Sequence, residues 1–193
     1  MEIYLIRHTK PNITRDTCYG QADLDVVESF HDEAKCIREY LPECIEKVYS
    51  SPLKRCRQLA EHLFPEHHIH FDDRLKEINC GEWELKLWND IDQDILKQWM
   101  EDFANVVIPG GESYTHLYER AKAFFQSLHP QFKRIAIVSH GGVIRSILSF
   151  IENVALVDSF KMFSLFYGCV VKVEVKAQQY AHTILYNRQP VEG

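Results

Sequence analysis

Ile135-Ala136-Ile137-Val138 is an unbroken apolar run, entered from Arg134 and left through Ser139-His140-Gly141-Gly142. A strand with no polar position on either side has to be covered on both faces. That is the condition of a central strand in a parallel sheet with helices above and below it. The residues that follow supply one such helix: Val143, Ile144, Ile147, Leu148 and Ile151 recur three and four apart over 143–152.

The same alternation runs through the rest of the chain. Ile3 to Ile6 is a short apolar strand that ends in Arg7-His8, and a polar, turn-rich segment from 12 to 25 follows Pro11. Val27, Phe30, Ala34, Ile37 and Leu41 predict a helix over 27–41. Lys47 to Ser50 reads as a strand, and Ser51-Pro52 as a helix start with serine at the N-cap and proline at the first position. Leu53, Cys56, Ala60 and Leu63 carry that helix to about Phe64, and Ile69 with Phe71 marks another strand. A helix is expected at about 90–103, and a longer one after the turn Pro109-Gly110-Gly111-Glu112-Ser113, with Leu117, Ala121, Phe124, Phe125 and Leu128 on one face. At the end the period changes: Val171, Val173 and Val175 alternate with charged residues, and His182 to Tyr186 can pair back antiparallel. The expectation is α/β: one domain over 1–193, a three-layer sandwich with helices on both faces of a mainly parallel central sheet that has an antiparallel edge. Trp88, Trp99, Met100 and Phe103 give 85–111 two readings, packing into the core, which is the commoner reason for such aromatic weight, and a candidate lid insertion over a pocket.

The charge balance narrows the partners. A formal net charge of −6 argues against a nucleic-acid backbone or an anionic membrane surface, so an anionic substrate needs a local cationic pocket. No stretch is long enough to span a bilayer and the start is no signal peptide. The cysteines at 18, 36, 44, 56, 80 and 169 form no C-x-x-C pair. Reduced thiols in a cytoplasmic protein are the expectation, without metal or cofactor. The histidines at 62, 67, 68 and 70 fit no zinc spacing. A homodimer is compatible with the sequence.

Two apolar strands thus end in histidine, His8 and His140, each followed by a sharp turn. If they are adjacent and parallel, both imidazoles emerge at one rim. Gly141 and Gly142 then let backbone N–H groups approach an anion at a helix N-terminus. Arg7 and Arg55 reach the same rim from a strand end and a helix start. Such a cup is phosphate-sized and cationic.

Leu5-Ile6-Arg7-His8-Thr9, Ser51-Pro52-Leu53-Lys54-Arg55, Glu77 with Gly81-Glu82-Trp83, Pro109-Gly110-Gly111-Glu112-Ser113 and Ser139-His140-Gly141-Gly142 occur together and in order. Over residues 3 to 142 the chain resembles the histidine phosphatase superfamily, which includes the cofactor-dependent phosphoglycerate mutases. The resemblance implies a phosphoglycerate mutase-like fold and a phosphomonoester hydrolase that needs no metal. It makes His8 the nucleophile that becomes phosphohistidine, and Glu77 the acid for the leaving alcohol and then the base for water. Arg7, Arg55, His140 and Gly141 would hold the phosphoryl oxygens. Imidazole suits the role, since its lone pair is available near neutral pH without a separate base.

Thr9, Lys10, Pro11 and Asn12 depart from the common pattern, in which glycine follows Arg-His. The phosphate contact in the 12–21 loop therefore stays open among Thr17, Gly20 and Gln21. Arg-His-Thr-x-Pro with Cys18-Tyr19-Gly20 is similar to the α-ribazole-5′-phosphate phosphatase branch, which serves the cobalamin nucleotide loop. Tyr19, Trp83, Trp88 and Glu112 are the expected substrate-pocket residues. Broad specificity for small metabolites, mutase activity and a non-catalytic phosphate-binding module are the alternatives. Asp23-Leu24-Asp25 lacks the preceding apolar strand that an aspartyl-phosphatase needs, and Cys80 has no arginine six residues on.

Overall fold

The computed structural model describes residues 1–177 and 179–188, so the last positions of the expected 1–193 domain, 189–193, lie outside it. The strands are β1 (Glu2–Arg7), β2 (Lys47–Ser50), β3 (Ile69–Phe71), β4 (Arg134–Ser139), β5 (Val170–Lys176) and β6 (Gln179–Tyr186), in one sheet of order β3-β2-β4-β1-β5-β6. β4 runs parallel to β1 and to β2, and β2 parallel to β3. β5 is antiparallel to both β1 and β6. The fold is therefore the expected α/β sandwich with an antiparallel edge.

Alternation along each strand divides the core. Ile3 and Leu5 of β1 point with Ile135 and Ile137 toward α4 (Tyr114–Gln126) and α5 (Gly141–Glu152). Tyr4 and Ile6 point with Ala136 and Val138 toward α1 (Phe30–Arg38) and α2 (Lys54–Leu63). Ile135 through Val138 are all 0% exposed, as a strand between two helical layers requires. Emptying one such position, Ile137→Ala, costs about 2–5 kcal/mol. A smaller core forms under the loops from Cys18, Cys80, Trp83, Ile91, Leu96 and Ile108, beside α3 (Gln93–Glu101). The short α6 (Ser159–Met162) leads back to β5.

Several boundaries differ from the sequence reading, each because a backbone or side-chain group is used elsewhere. The first helix begins at Phe30 rather than 27, because Val26 is bridged to Pro11 and the Val27 N–H donates to Lys10 O. Ser51 does not cap α2. Leu53 does, and the Ser51 hydroxyl accepts from Leu53 N–H while bonding His140. α3 is shorter than 90–103 because the Asp92 side chain caps it, accepting from Asp94 and Ile95 N–H. α5 starts earlier, at Gly141, which places both glycines in its first turn. The 85–111 segment contributes to two places at once: Ile91, Leu96 and Ile108 fill the smaller core, while Trp88 and Trp99 face a cavity.

Candidate active site

The parallel register brings the strand ends to one rim, pairing Arg7 of β1 with Ser139 of β4. His8 and His140 follow those ends, their ring centroids 5.1 Å apart. His8 is 2% exposed, and its Nδ1 lies 2.7 Å from Thr9 O. A carbonyl only accepts, so Nδ1 carries the proton and the Nε2 lone pair is left facing Arg55, whose Nε donates to it at 3.3 Å. Burial first, then the guanidinium charges of Arg55 and Arg7, hold this imidazole well below the usual histidine range. It is neutral at physiological pH.

Arg55, in the first turn of α2, is 0% exposed. It donates to Ala22 O at 2.9 Å, to Gly20 O at 2.6 Å and to His140 Nδ1 at 3.1 Å. His140 therefore carries its proton on Nε2 and donates it to Ser51 Oγ at 2.8 Å. Burial, then Arg55, His8 and Arg7, push His140 well below the usual range as well. Arg7 donates to Leu165 O and lies 4.1 Å from the centroid of the Tyr167 ring. Its Nε is buried without a hydrogen-bond partner among the described residues. A Cβ on Gly141 would come within 3.2 Å of the Arg7 guanidinium carbon, so the start of α5 packs directly against that cation. Arg55 is bound by carbonyls and imidazole nitrogens and Arg7 only in part, by the Leu165 carbonyl and the Tyr167 ring, with no carboxylate ion-paired to either among the described residues. Their positive field is available to an anion.

Glu77 lines the same cavity as His8, whereas His140 and Arg55 lie behind its lining. Its Oε2 accepts Gly142 N–H and its Oε1 accepts Ile78 N–H, both at 3.0 Å. Its backbone carbonyl accepts from Arg120 at 2.8 Å, and Arg120 is bound to both oxygens of Glu112 at 2.9 Å. The cavity holds about 370 Å³. Arg7, His8, Glu77 and Arg145 give its charged and polar lining, and Tyr19, Trp88, Trp99 and Phe160 an aromatic one.

Five expected contact residues sit elsewhere. Trp83 is 3% exposed in the smaller core, edge-on to Trp99, and does not line the cavity. Glu112 is spent on Arg120 and on Asn79 N–H. The N–H groups of Gly20 and Gln21 donate to the Glu84 carboxylate, at 3.0 and 2.7 Å, so they do not face a phosphate. Thr17 is bridged to Leu87 and lines a second cavity. Conversely, sequence reasoning missed Tyr167, Arg145 and Ser51. Arg145 is 9% exposed, lines the cavity and lies 4.0 Å from the Phe160 ring centroid. An arginine one turn after Gly141, on a helix otherwise buried, was its only signal.

The sequence profile of the histidine phosphatase superfamily (branch 1) matches residues 3–188. The chain belongs to the histidine phosphatase superfamily. It is a phosphatase, and its substrate is a phosphate ester. The chain is 31% identical to phosphoglycerate mutase-like protein 4 of Arabidopsis thaliana over 159 residues, 76% of this chain and 69% of that one. It is 27% identical to phosphoserine phosphatase 1 of Hydrogenobacter thermophilus over 178 residues, 88% of this chain and 82% of that one. The crystal structure of the α-ribazole phosphatase from Shigella flexneri superposes with a TM-score of 0.90, covering 100% of both chains at 21% identity, a likeness of fold. Among the described residues no helix of this phosphatase is long and apolar enough to cross a membrane.

Proposed function

We propose that the phosphatase hydrolyses its ester by two in-line transfers through His8, without a metal. The observation that carries this reading is the fixed tautomer of His8, whose Nε2 lone pair faces Arg55 in a cavity that Arg7 also lines. In the first transfer the P–N bond forms at Nε2 as the ester P–O bond breaks, and Glu77 protonates the leaving oxygen. In the second, water attacks phosphorus, Glu77 takes its proton, and the P–N bond breaks. Arg7, Arg55 and the start of α5 at Gly141 neutralise the transferring oxygens, which is what phosphoryl transfer asks of a protein. The neutral His140, expected to hold those oxygens itself, instead accepts from Arg55 and holds that guanidinium in place. The 85–111 segment acts as the wall that closes over the leaving group through Trp88 and Trp99. Acid-labile, base-stable ³²P trapped on the wild type and absent from His8→Ala is the expected result. Loss of activity in EDTA would overturn the metal-free reading.

The favoured substrate is α-ribazole 5′-phosphate. Its planar base matches the aromatic lining of Tyr19, Trp88, Trp99 and Phe160, and the full-length likeness to an α-ribazole phosphatase supports it. A second reading, broad specificity for small phosphate esters, draws on the differing names of the relatives. A turnover panel with α-ribazole 5′-phosphate, phosphoserine, 3-phosphoglycerate and sugar phosphates separates the two. A kcat/KM advantage for α-ribazole phosphate below about tenfold, ~1.4 kcal/mol, removes the first reading.

A further inference from the structure

Glu84 closes the run that contains Gly81-Glu82-Trp83, and nothing in the proposed reaction uses it. Its carboxylate nevertheless gathers more backbone donors than any other described here. Gly20 and Ala22 N–H reach Oε2 at 3.0 and 3.1 Å, while Gln21 and Cys80 N–H reach Oε1 at 2.7 and 3.1 Å. Successive N–H groups converging on one point form a nest suited to an anion, and here a side chain of the same protein fills it. When the N–H groups of residues 20–22 turn inward, their carbonyls turn the other way. Gly20 O and Ala22 O then receive the Arg55 guanidinium. The loop has little freedom to do otherwise: a Cβ on Gly20 would sit 1.8 Å from Ile78 O.

We infer that Glu84 is the positioning residue for Arg55. It folds the 20–22 loop around its carboxylate, the loop's carbonyls fix the guanidinium, and the guanidinium is thereby held on His8 Nε2 and His140 Nδ1. The inference rests on the phosphoryl-transfer reading of His8 and Arg55. Charge matters as well as shape, because an amide at this position would present N–H donors to backbone N–H donors.

Displacing Arg55 also changes what His8 feels. The groups around that imidazole are Arg55 from α2, Arg7 from β1, His140 after β4, and Tyr167 from the loop before β5, with the Thr9 carbonyl at Nδ1. Burial is the largest cause of its low titration and Arg55 the next, so withdrawing Arg55 lets His8 titrate higher. A purely structural role for Glu84 would cost stability without moving that midpoint.

The test is a double-mutant cycle on p-nitrophenyl phosphate with ¹H–¹⁵N NMR titration of His8, its signal assigned by loss in His8→Ala. Arg55→Lys is expected to lose about 100-fold in kcat, and Glu84→Gln about tenfold. The double variant should stay within about twofold of Arg55→Lys alone, because Glu84 has no other route to the reaction. The His8 midpoint should move up in Glu84→Gln. Wild-type kcat in Glu84→Gln, multiplied losses in the double variant, or an unmoved His8 midpoint each overturn the inference. If Arg55→Lys alone keeps wild-type kcat, the reading of Arg55 on which the inference stands falls, and that single variant reveals it. Should Glu84→Gln not fold by circular dichroism, Glu84→Asp, with the charge kept but one methylene short, takes its place. A several-fold loss that vanishes in the Arg55→Lys background supports the inference, and a loss that multiplies there overturns it.

Discussion

Gly142→Ala tests whether Glu77 is placed by the first turn of α5. A Cβ at Gly142 would lie 2.2 Å from Glu77 Oε1 and 3.1 Å from Cδ, whereas ordinary contact begins near 3.4 Å. The carboxylate must therefore retreat by about 1 Å, and the 3.0 Å bond from Gly142 N–H to Oε2 is lost with it. A misplacement of that size costs about 100-fold, roughly 2.7 kcal/mol, when the displaced group has to reach the reacting atom. Stability should change little. Alanine gains up to ~1 kcal/mol over glycine in a helix, against a similar cost from the Leu117 methyl that the new Cβ meets at 2.9 Å. The assay compares an alkyl phosphate, whose leaving group needs a proton, with p-nitrophenyl phosphate, whose leaving group does not. The alkyl ester should lose about 100-fold and the aryl ester less than about fivefold. In a Glu77→Gln background Gly142→Ala should add nothing. Equal losses on both esters would show that the alanine disturbs phosphate binding instead, and would refute the acid role argued for Glu77.

Three further outcomes follow from the same geometry. Both imidazoles are buried and held well below the usual range, so the unfolded chain takes up protons below about pH 6.5 that the folded chain refuses. Urea unfolding should show stability level above that pH and falling below it by up to ~1.4 kcal/mol per pH unit for each histidine, before the carboxylates contribute; a flat profile down to pH 5 would contradict their neutral burial. Tyr167→Phe removes the 2.6 Å bond to Tyr19 but keeps a ring under Arg7, so kcat/KM should fall less than about threefold. Tyr167→Leu also loses the cation–ring contact, worth ~1–2 kcal/mol, so kcat/KM should fall about tenfold. Trp83→Ala should cost ~3–5 kcal/mol of stability, read by thermal denaturation, with KM unchanged, while Trp88→Ala should raise KM at a smaller cost in stability.

Arg7 and Arg55 have two effects that a single substitution does not separate. Their charge attracts the dianion, and the same charge adds to burial, the larger cause, in keeping His8 and His140 unprotonated. A protonated His8 would have no lone pair to attack with, so phosphate attraction and nucleophile readiness come from one set of cations. The arrangement works because these arginines are held by carbonyls of the 20–22 loop and of Leu165 rather than by carboxylates. A carboxylate partner would cancel the field on both counts. This is how a chain of net charge −6 keeps a cationic cup: apart from Glu77, the acids of the neighbouring loops are tied up elsewhere, Glu84 on backbone N–H groups and Glu112 on Arg120.

The strand ends were legible because apolar runs bounded by Arg7-His8 and Ser139-His140 announce both their burial and their exit. Parallel pairing then leaves those residues one place to meet. Arg55 was legible for the same reason, since Ser51-Pro52 ends one element and opens another. The loop contacts were not. Gly20 and Gln21 carry the composition of a phosphate loop, but what an N–H group faces depends on which distant acceptor folds onto it, and Glu84 arrives from more than sixty positions away. Tyr167 had no signal at all: its ring is placed under Arg7 by the return of the chain through Gly168, whose N–H donates to His8 O. Trp83 shows the opposite error. Aromatic weight near a motif suggested a stacking wall, yet a tryptophan packed among Cys18, Cys80, Ile91, Leu96 and Ile108 is what a small loop core needs to fill its volume. Residue type fixes what a side chain can do, and only the nonlocal backbone decides which of these groups the cavity is given.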